Sequence, residues 1–309
     1  MWGKSRACFR SAARGLLLAW GALVVGVPGM PPGEGAFLEA PRKVFVGDPF
    51  VVTLSSDLPL QDLEVRWGGE TLSLDAQPRR GGWIARALLG TEAHTTKAEE
   101  TSLELRGREG KNSAVWKHRI TVRPRKFGVT RLTLDEAYVT PPKKVLDRIA
   151  RERVLTAAAK ARRTLPQRWA LPLVRPVPGK ITGAYGKGYI LNGKPRSPHR
   201  GLDFRAPEGT EVRALAEGVV ALAGDHYYAG KSVYLDHGGG VISFYMHLSD
   251  IAVREGDVVK RGQMVGKSGS TGRSTGPHLH LGLCLQGRLV DPSSLFGPEK
   301  TSGETKKKK

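Results

Sequence analysis

Cysteine is nearly absent: Cys8 and Cys284 are the only two in 309 residues. Cys8 falls in the N-terminal leader, so removal of that leader leaves one thiol and excludes an internal disulfide. Cys284 lies in the apolar, strand-like stretch 280–285 and reads as a small buried hydrophobe rather than a nucleophile. Hydrophobic runs are short. The apolar stretch 16–27 falls below the roughly 20 residues a bilayer-spanning helix needs. Acidic residues are also scarce, 29 Asp+Glu against 49 Lys+Arg, a net charge of +20. That balance favours anionic partners: nucleic acid, anionic lipid or acidic wall polymers. The glycine-rich loop 270–276 lacks the Gly-Lys-Ser/Thr ending of a phosphate loop.

What is present begins with Lys4, Arg6, Arg10 and Arg14 ahead of the apolar stretch, the layout of an export signal. An exported chain, in the periplasm or cell envelope, does not meet nucleic acid, which removes that partner. No clean small-x-small cleavage site is visible, so an uncleaved membrane anchor competes with cleavage over residues 1–36.

The length predicts two folded units with a connector. Residues 37–124 carry short period-2 or apolar runs, such as Leu63-Glu64-Val65-Arg66-Trp67, separated by Gly, Pro, Asp and Asn. That rhythm predicts an Ig-like β-sandwich. His94 and His118 are isolated within it and read as surface or strand residues.

Residues 125–171 form the connector. Leu146, Ala150, Val154, Ala157/Ala158 and Ala161 predict a helix with an apolar stripe, and its other positions are rich in Lys and Arg. The plain reading is a solvated face; the functional one is contact with an anionic membrane or wall polymer.

Residues 172–297 turn to short strands and glycine turns. Gly238-Gly239-Gly240 between two apolar runs predicts a β-hairpin. The stretch 209–220 echoes 256–266, which predicts a duplicated β-unit in one antiparallel domain. The whole is mainly β with one connecting helix. Residues 298–309, ending in four lysines, read as a disordered tail.

Six of the eight histidines fall between 199 and 280. In His278-Leu279-His280 both imidazoles share one strand face while Leu279 takes the other. His199 and Asp203 also face one way if their segment is extended, and His247 ends a hairpin strand. Zinc accepts imidazole nitrogen and carboxylate oxygen, and a catalytic zinc usually has three protein ligands. His237, beside Asp236, reads as structural, and His226 as loop surface.

Taken together, His199-x-x-x-Asp203, Tyr245-Met246-His247 and Gly276-Pro277-His278-Leu279-His280 resemble the lysostaphin/LytM-type zinc endopeptidases over about residues 178–292. The resemblance implies one Zn2+ per chain held by His199, Asp203 and His280, with His247 and His278 as the catalytic pair. It implies hydrolysis of peptidoglycan peptide stems or cross-bridges. Gly188 stands where that family often has an arginine, and Tyr185 and Tyr189 are candidate cleft residues. A non-enzymatic regulator of other wall hydrolases is the alternative, although no ligand position is substituted. A phosphocarrier would need only two facing histidines and a cytoplasmic home; the export signal and Asp203 argue against it.

Overall fold

The structure, a computed structural model, describes residues 35–297. Most of the expected leader, with Cys8, and the lysine-rich tail lie outside the described residues. Within them no helix is long and apolar enough to cross a membrane.

The N-terminal strands are β1 (Phe37–Glu39), β2 (Lys43–Phe45), β3 (Pro49–Ser56), β4 (Leu60–Trp67), β5 (Glu70–Leu74), β6 (Ala76–Arg79), β7 (Gly82–Gly90), β8 (Glu100–Glu109) and β9 (Asn112–Arg123). They form two sheets, ordered β1-β3-β7-β6 and β2-β9-β8-β4-β5. The period-2 pattern does the sorting: in β4, Leu63, Val65 and Trp67 are buried while Glu64 and Arg66 are exposed. Inward residues of both sheets, among them Val52, Leu54, Leu103 and Leu105, share one apolar core.

The connector contributes β10 (Val129–Leu132), the short α1 (Glu136–Val139) and α2 (Leu146–Lys160). The helix forms where expected, but its predicted stripe is the outer face. Leu146, Val154 and Leu155 are exposed, 69% for Val154, and only Ala159 is buried. Polar contacts hold the inner face instead. The Glu152 carboxylate accepts from Arg148 Nε (2.6 Å) and from the Tyr227 amide (2.7 Å), and Arg148 also reaches the Asp225 carbonyl (3.1 Å). Helical period alone cannot say which side meets a neighbour when charged residues supply the contact.

The remaining strands are β11 (Ile181–Gly183), β12 (Gly188–Leu191), β13 (Lys194–Arg196), β14 (Leu202–Arg205), β15 (Glu211–Arg213), β16 (Gly218–His226), β17 (Gly230–Asp236), β18 (Val241–Ile251), β19 (Val258–Val259), β20 (Met264–Ser268), β21 (His278–Leu285) and β22 (Arg288–Val290). The main sheet runs β11-β14-β21-β18-β17-β16-β19, and β10, β12 and β13 form a small sheet beside it. The repeated units exchange partners: β15 pairs with β20, and β16 with β19, both antiparallel. Each copy of the repeat therefore completes the other. The β17–β18 hairpin turns through Gly238, Gly239 and Gly240, all at φ between 61° and 72°, and a Cβ on Gly238 would lie 2.2 Å from the Pro166 carbonyl oxygen.

A second apolar core fills this region, with Phe204, Leu235, Tyr245 and Leu281 fully buried. Tyr185 ties it to the sandwich: its hydroxyl donates to the Leu289 carbonyl (2.5 Å) and accepts from the Ala93 amide (2.9 Å). Gln286 Nε2 donates to the Leu88 carbonyl (3.1 Å) across the same boundary.

Candidate metal centre

Asp203 and His280 meet because β14 runs antiparallel to β21 in a register that sets them directly opposite, with Arg205 opposite His278. On both strands the alternation puts leucine and phenylalanine into the core (Leu202, Phe204, Leu279, Leu281) and Asp203, His278 and His280 into the cleft. His199 arrives from the segment before β14, pinned by its amide donating to the Lys187 carbonyl (2.7 Å).

Three donor atoms form a compact triangle. His199 Nε2 lies 3.0 Å from Asp203 Oδ1 and 3.0 Å from His280 Nδ1, and His280 Nδ1 lies 2.8 Å from Asp203 Oδ1. A divalent ion about 2.0–2.2 Å from each fits above a triangle of that size. The chemistry of the donors agrees. His199 Nδ1 sits 2.9 Å from the Ala184 carbonyl, a partner that assigns the proton to Nδ1 and leaves the Nε2 lone pair for a cation. Among the described residues this is the group of His, Cys, Asp and Glu close enough to hold a metal.

Two glycines make room for it. A Cβ on Gly201 would lie 2.7 Å from His280 Nε2 and 2.3 Å from the Leu281 carbonyl oxygen, and one on Gly183 would lie 2.1 Å from Asp203 Oδ2. Neither glycine stood out in the sequence, because the contacts that forbid a side chain come from other strands.

Burial alone would raise the Asp203 pKa, but hydrogen bonds and charge from His199 and His280 outweigh it and hold the carboxyl below its ordinary range. Burial lowers the His280 pKa, against the opposing pull of Asp203.

His247 and His278 stand beside the triangle without joining it. Their rings are 4.8 Å apart, and His278 Nε2 is 3.8 Å from Asp203 Oδ1. Both turn Nδ1 to a backbone carbonyl, His247 to Thr271 (2.8 Å) and His278 to Gly276 (2.8 Å). Those partners assign the proton to Nδ1 and leave Nε2 as a free base. His247 holds φ at +63°, a strained backbone for a side-chain-bearing residue, fixed in part by its amide donating to the Ala229 carbonyl (2.8 Å). Burial, reinforced by His280 and His278, pushes its pKa down to about 3.

All five residues line one cleft of about 540 Å³, whose walls include Tyr189, Tyr228, Arg273 and, from α2, Ile149 and Thr156. Tyr189 is a cleft residue, its ring 5.4 Å from His199, and burial followed by the Asp203 charge raises its pKa. Tyr185 is not; it is 4% exposed and bonded on both sides as described above.

His226 also departs from expectation. It is buried on β16, with Nδ1 2.8 Å from Ser232 Oγ, because the strand outlasts the apolar run that marked it in sequence. His237 is buried between the Glu217 carbonyl and Ser243 Oγ, both at 2.7 Å, which suits a structural residue. Cys284 is fully buried, and burial pushes its thiol up to about 11. The loop 270–276 borders the cleft, and its Thr271 carbonyl orients His247.

Residues 197–292 match the profile of Peptidase family M23. The chain is similar to the peptidoglycan DD-endopeptidase ShyA of Vibrio cholerae, 48% identical over 95 residues, which are 31% of this chain and 22% of that protein. It is similar to the DD-carboxypeptidase/endopeptidase Mpg of Neisseria meningitidis serogroup B, 45% identical over 100 residues, 32% of this chain and 23% of that one. The aligned region thus spans less than a quarter of the length of these relatives. The crystal structure of a peptidase M23 candidate from Pseudomonas aeruginosa is 31% identical, with a TM-score of 0.61, over 82% of this chain and 95% of that one. That likeness extends well beyond residues 197–292.

Proposed function

The chain belongs to peptidase family M23, and on that premise we propose that it is a zinc-dependent endopeptidase hydrolysing peptide cross-links of bacterial peptidoglycan. The observation that carries the reading is the donor triangle of His199, Asp203 and His280 with two imidazole Nε2 lone pairs left free beside it.

One zinc ion per chain would be held by those three residues. When bound, zinc polarises a scissile carbonyl and acidifies water. His278, at the cleft surface, takes the attacking water's proton at Nε2 and delivers it to the amine nitrogen as the C–N bond breaks. Its Nδ1–H, held by Gly276, keeps the ring aimed through both transfers. His247 stays neutral because burial depresses its basicity, and it orients water as an acceptor.

The names of the similar proteins support peptidoglycan as substrate. The basic leader supports export to the periplasm or envelope. The order β1-β3-β7-β6 against β2-β9-β8-β4-β5 supports an Ig-like reading of the sandwich. Two apolar cores, the second of which also takes in Leu88 and Ala93, support a division into 37–124 and 172–297 joined by 125–171. The outer face of α2, with Leu146, Val154 and Leu155 near Lys144 and Arg151, supports contact with an anionic membrane or wall polymer.

The test is to incubate the zinc-loaded chain with isolated sacculi and count new amino termini. Release that stops on chelation and returns with added zinc is expected. Equal release from the metal-free protein would overturn the proposal.

A further inference from the structure

Arg273 is a half-buried cation in the cleft with nothing anionic to face. Among the described residues it makes no ion pair, and its guanidinium donates no hydrogen bond to the protein. The nearby carboxylates are already engaged. Asp203 is held by His199 and His280, and Glu152 by Arg148 and the Tyr227 amide. Its charged neighbour is another cation, Arg196, whose guanidinium donates to the Val139 carbonyl (2.7 Å).

The side chain is nonetheless held in place. Its guanidinium carbon sits 4.8 Å from the centre of the Tyr228 ring, and its amide donates to the Tyr228 carbonyl (2.9 Å). The preceding residue but one, Thr271, is locked by its hydroxyl to the Leu248 carbonyl (2.7 Å) and turns its own carbonyl to His247. A rigid loop therefore fixes the planar fork of an arginine and a histidine of the reaction centre together. Burial lowers the Arg273 pKa, the mark of a cation whose lost hydration is not replaced. A planar guanidinium with free N–H groups suits a carboxylate, which it can grip through two parallel hydrogen bonds.

We propose that Arg273 binds a free carboxylate of the substrate, so that the cleft selects cross-links in which the residue supplying the scissile amide nitrogen carries one. A diaminopimelate cross-link keeps such a carboxylate on the carbon that bears the linking nitrogen; a glycine bridge presents only amides there. This selection rests on the peptidase reading above.

Two synthetic cross-linked peptides differing only at that group, free carboxylate in one and carboxamide in the other, test it with the zinc-loaded full chain. Wild type cleaves the acid with kcat/KM roughly 10–100-fold above the amide, the scale of a charged hydrogen bond. Arg273→Gln removes the preference by raising KM for the acid, while Arg273→Lys retains part of it. Zinc content and Tm equal to wild type in both variants verify the fold. Equal cleavage of the two peptides by wild type, or an equal loss on both in Arg273→Gln, overturns the assignment of Arg273. Cleavage of neither peptide overturns the peptidase reading and this selection with it.

Discussion

In the N-terminal sandwich the buried polar residues are hydroxyls, Thr53, Ser55, Ser56 and Thr91, whereas the C-terminal region buries His199, His226, Asp236, His237 and His247. Both regions are mainly antiparallel β-structure on an apolar core, each with one parallel pair, β2–β9 and β10–β12. A hydroxyl is satisfied locally at small cost, as Thr91 is by accepting from the Gly47 amide (2.9 Å) and donating to the Phe45 carbonyl (2.8 Å). A buried imidazole or carboxylate is costly unless partners are prepared for it. The C-terminal region prepares them from several strands at once, and chemistry becomes available there and not in the sandwich.

The sharpest break of that contrast is His280→Ala. It should remove bound zinc, from one per chain to none, and reduce cross-link hydrolysis by about 10³-fold or more. Metal analysis and amino-terminus release read it together. Gly201→Ala, which adds one methyl against His280, should approach the same result with all three ligand residues retained.

Next in size is His247→Gln, which leaves the donor triangle intact. Zinc content should hold at one per chain while kcat falls roughly 10²–10⁴-fold. Loss of zinc in that variant would mean that His247 belongs to the metal site.

In the sandwich, Leu105→Ala should lower stability by about 2–5 kcal/mol in denaturant unfolding, since Leu105 is 1% exposed in a packed core. Zinc content and kcat at 25 °C should be unchanged. A parallel loss of activity would show that the two regions are not separable in this way.

The smallest effect is with pH. Burial lowers the pKa of His226 and His237 below the ordinary 6.5. Unfolding lets these rings take up protons that the folded state resists, so their contribution is present above pH 6.5 and is lost as pH falls towards the folded values. Each costs at most about 1.4 kcal/mol per pH unit. Tm of the metal-free chain should therefore fall between pH 7 and 5, and His237→Gln should flatten the slope.

Much of this was legible in the residues. Leu63-Glu64-Val65-Arg66-Trp67 announces a strand and its buried face, because a period of two is written locally. The three glycines announce the β17–β18 turn, and His278-Leu279-His280 declares which side chains share a face. The outward direction of the α2 stripe was not legible, nor was the burial of His226, nor the separation of Tyr185 from Tyr189. For α2 and Tyr185 the deciding neighbours lie far along the chain, Tyr227 for α2 and Ala93 and Leu289 for Tyr185; for His226 the partner is nearby Ser232, brought to it by the β16–β17 pairing, whose extent the apolar run did not mark.

By itself the sequence determined the strand-rich character, the hairpin and the five residues of the cleft, since short-range spacing and side-chain chemistry carry that information. Only the tertiary structure decided that Asp203 and His280, 77 residues apart, stand in register at 2.8 Å, that Gly183 and Gly201 must lack side chains, and that Arg273 faces the cleft without a counter-ion. Those outcomes depend on which strands pair and at what offset, and register is set by long-range packing of apolar faces, which no local window contains.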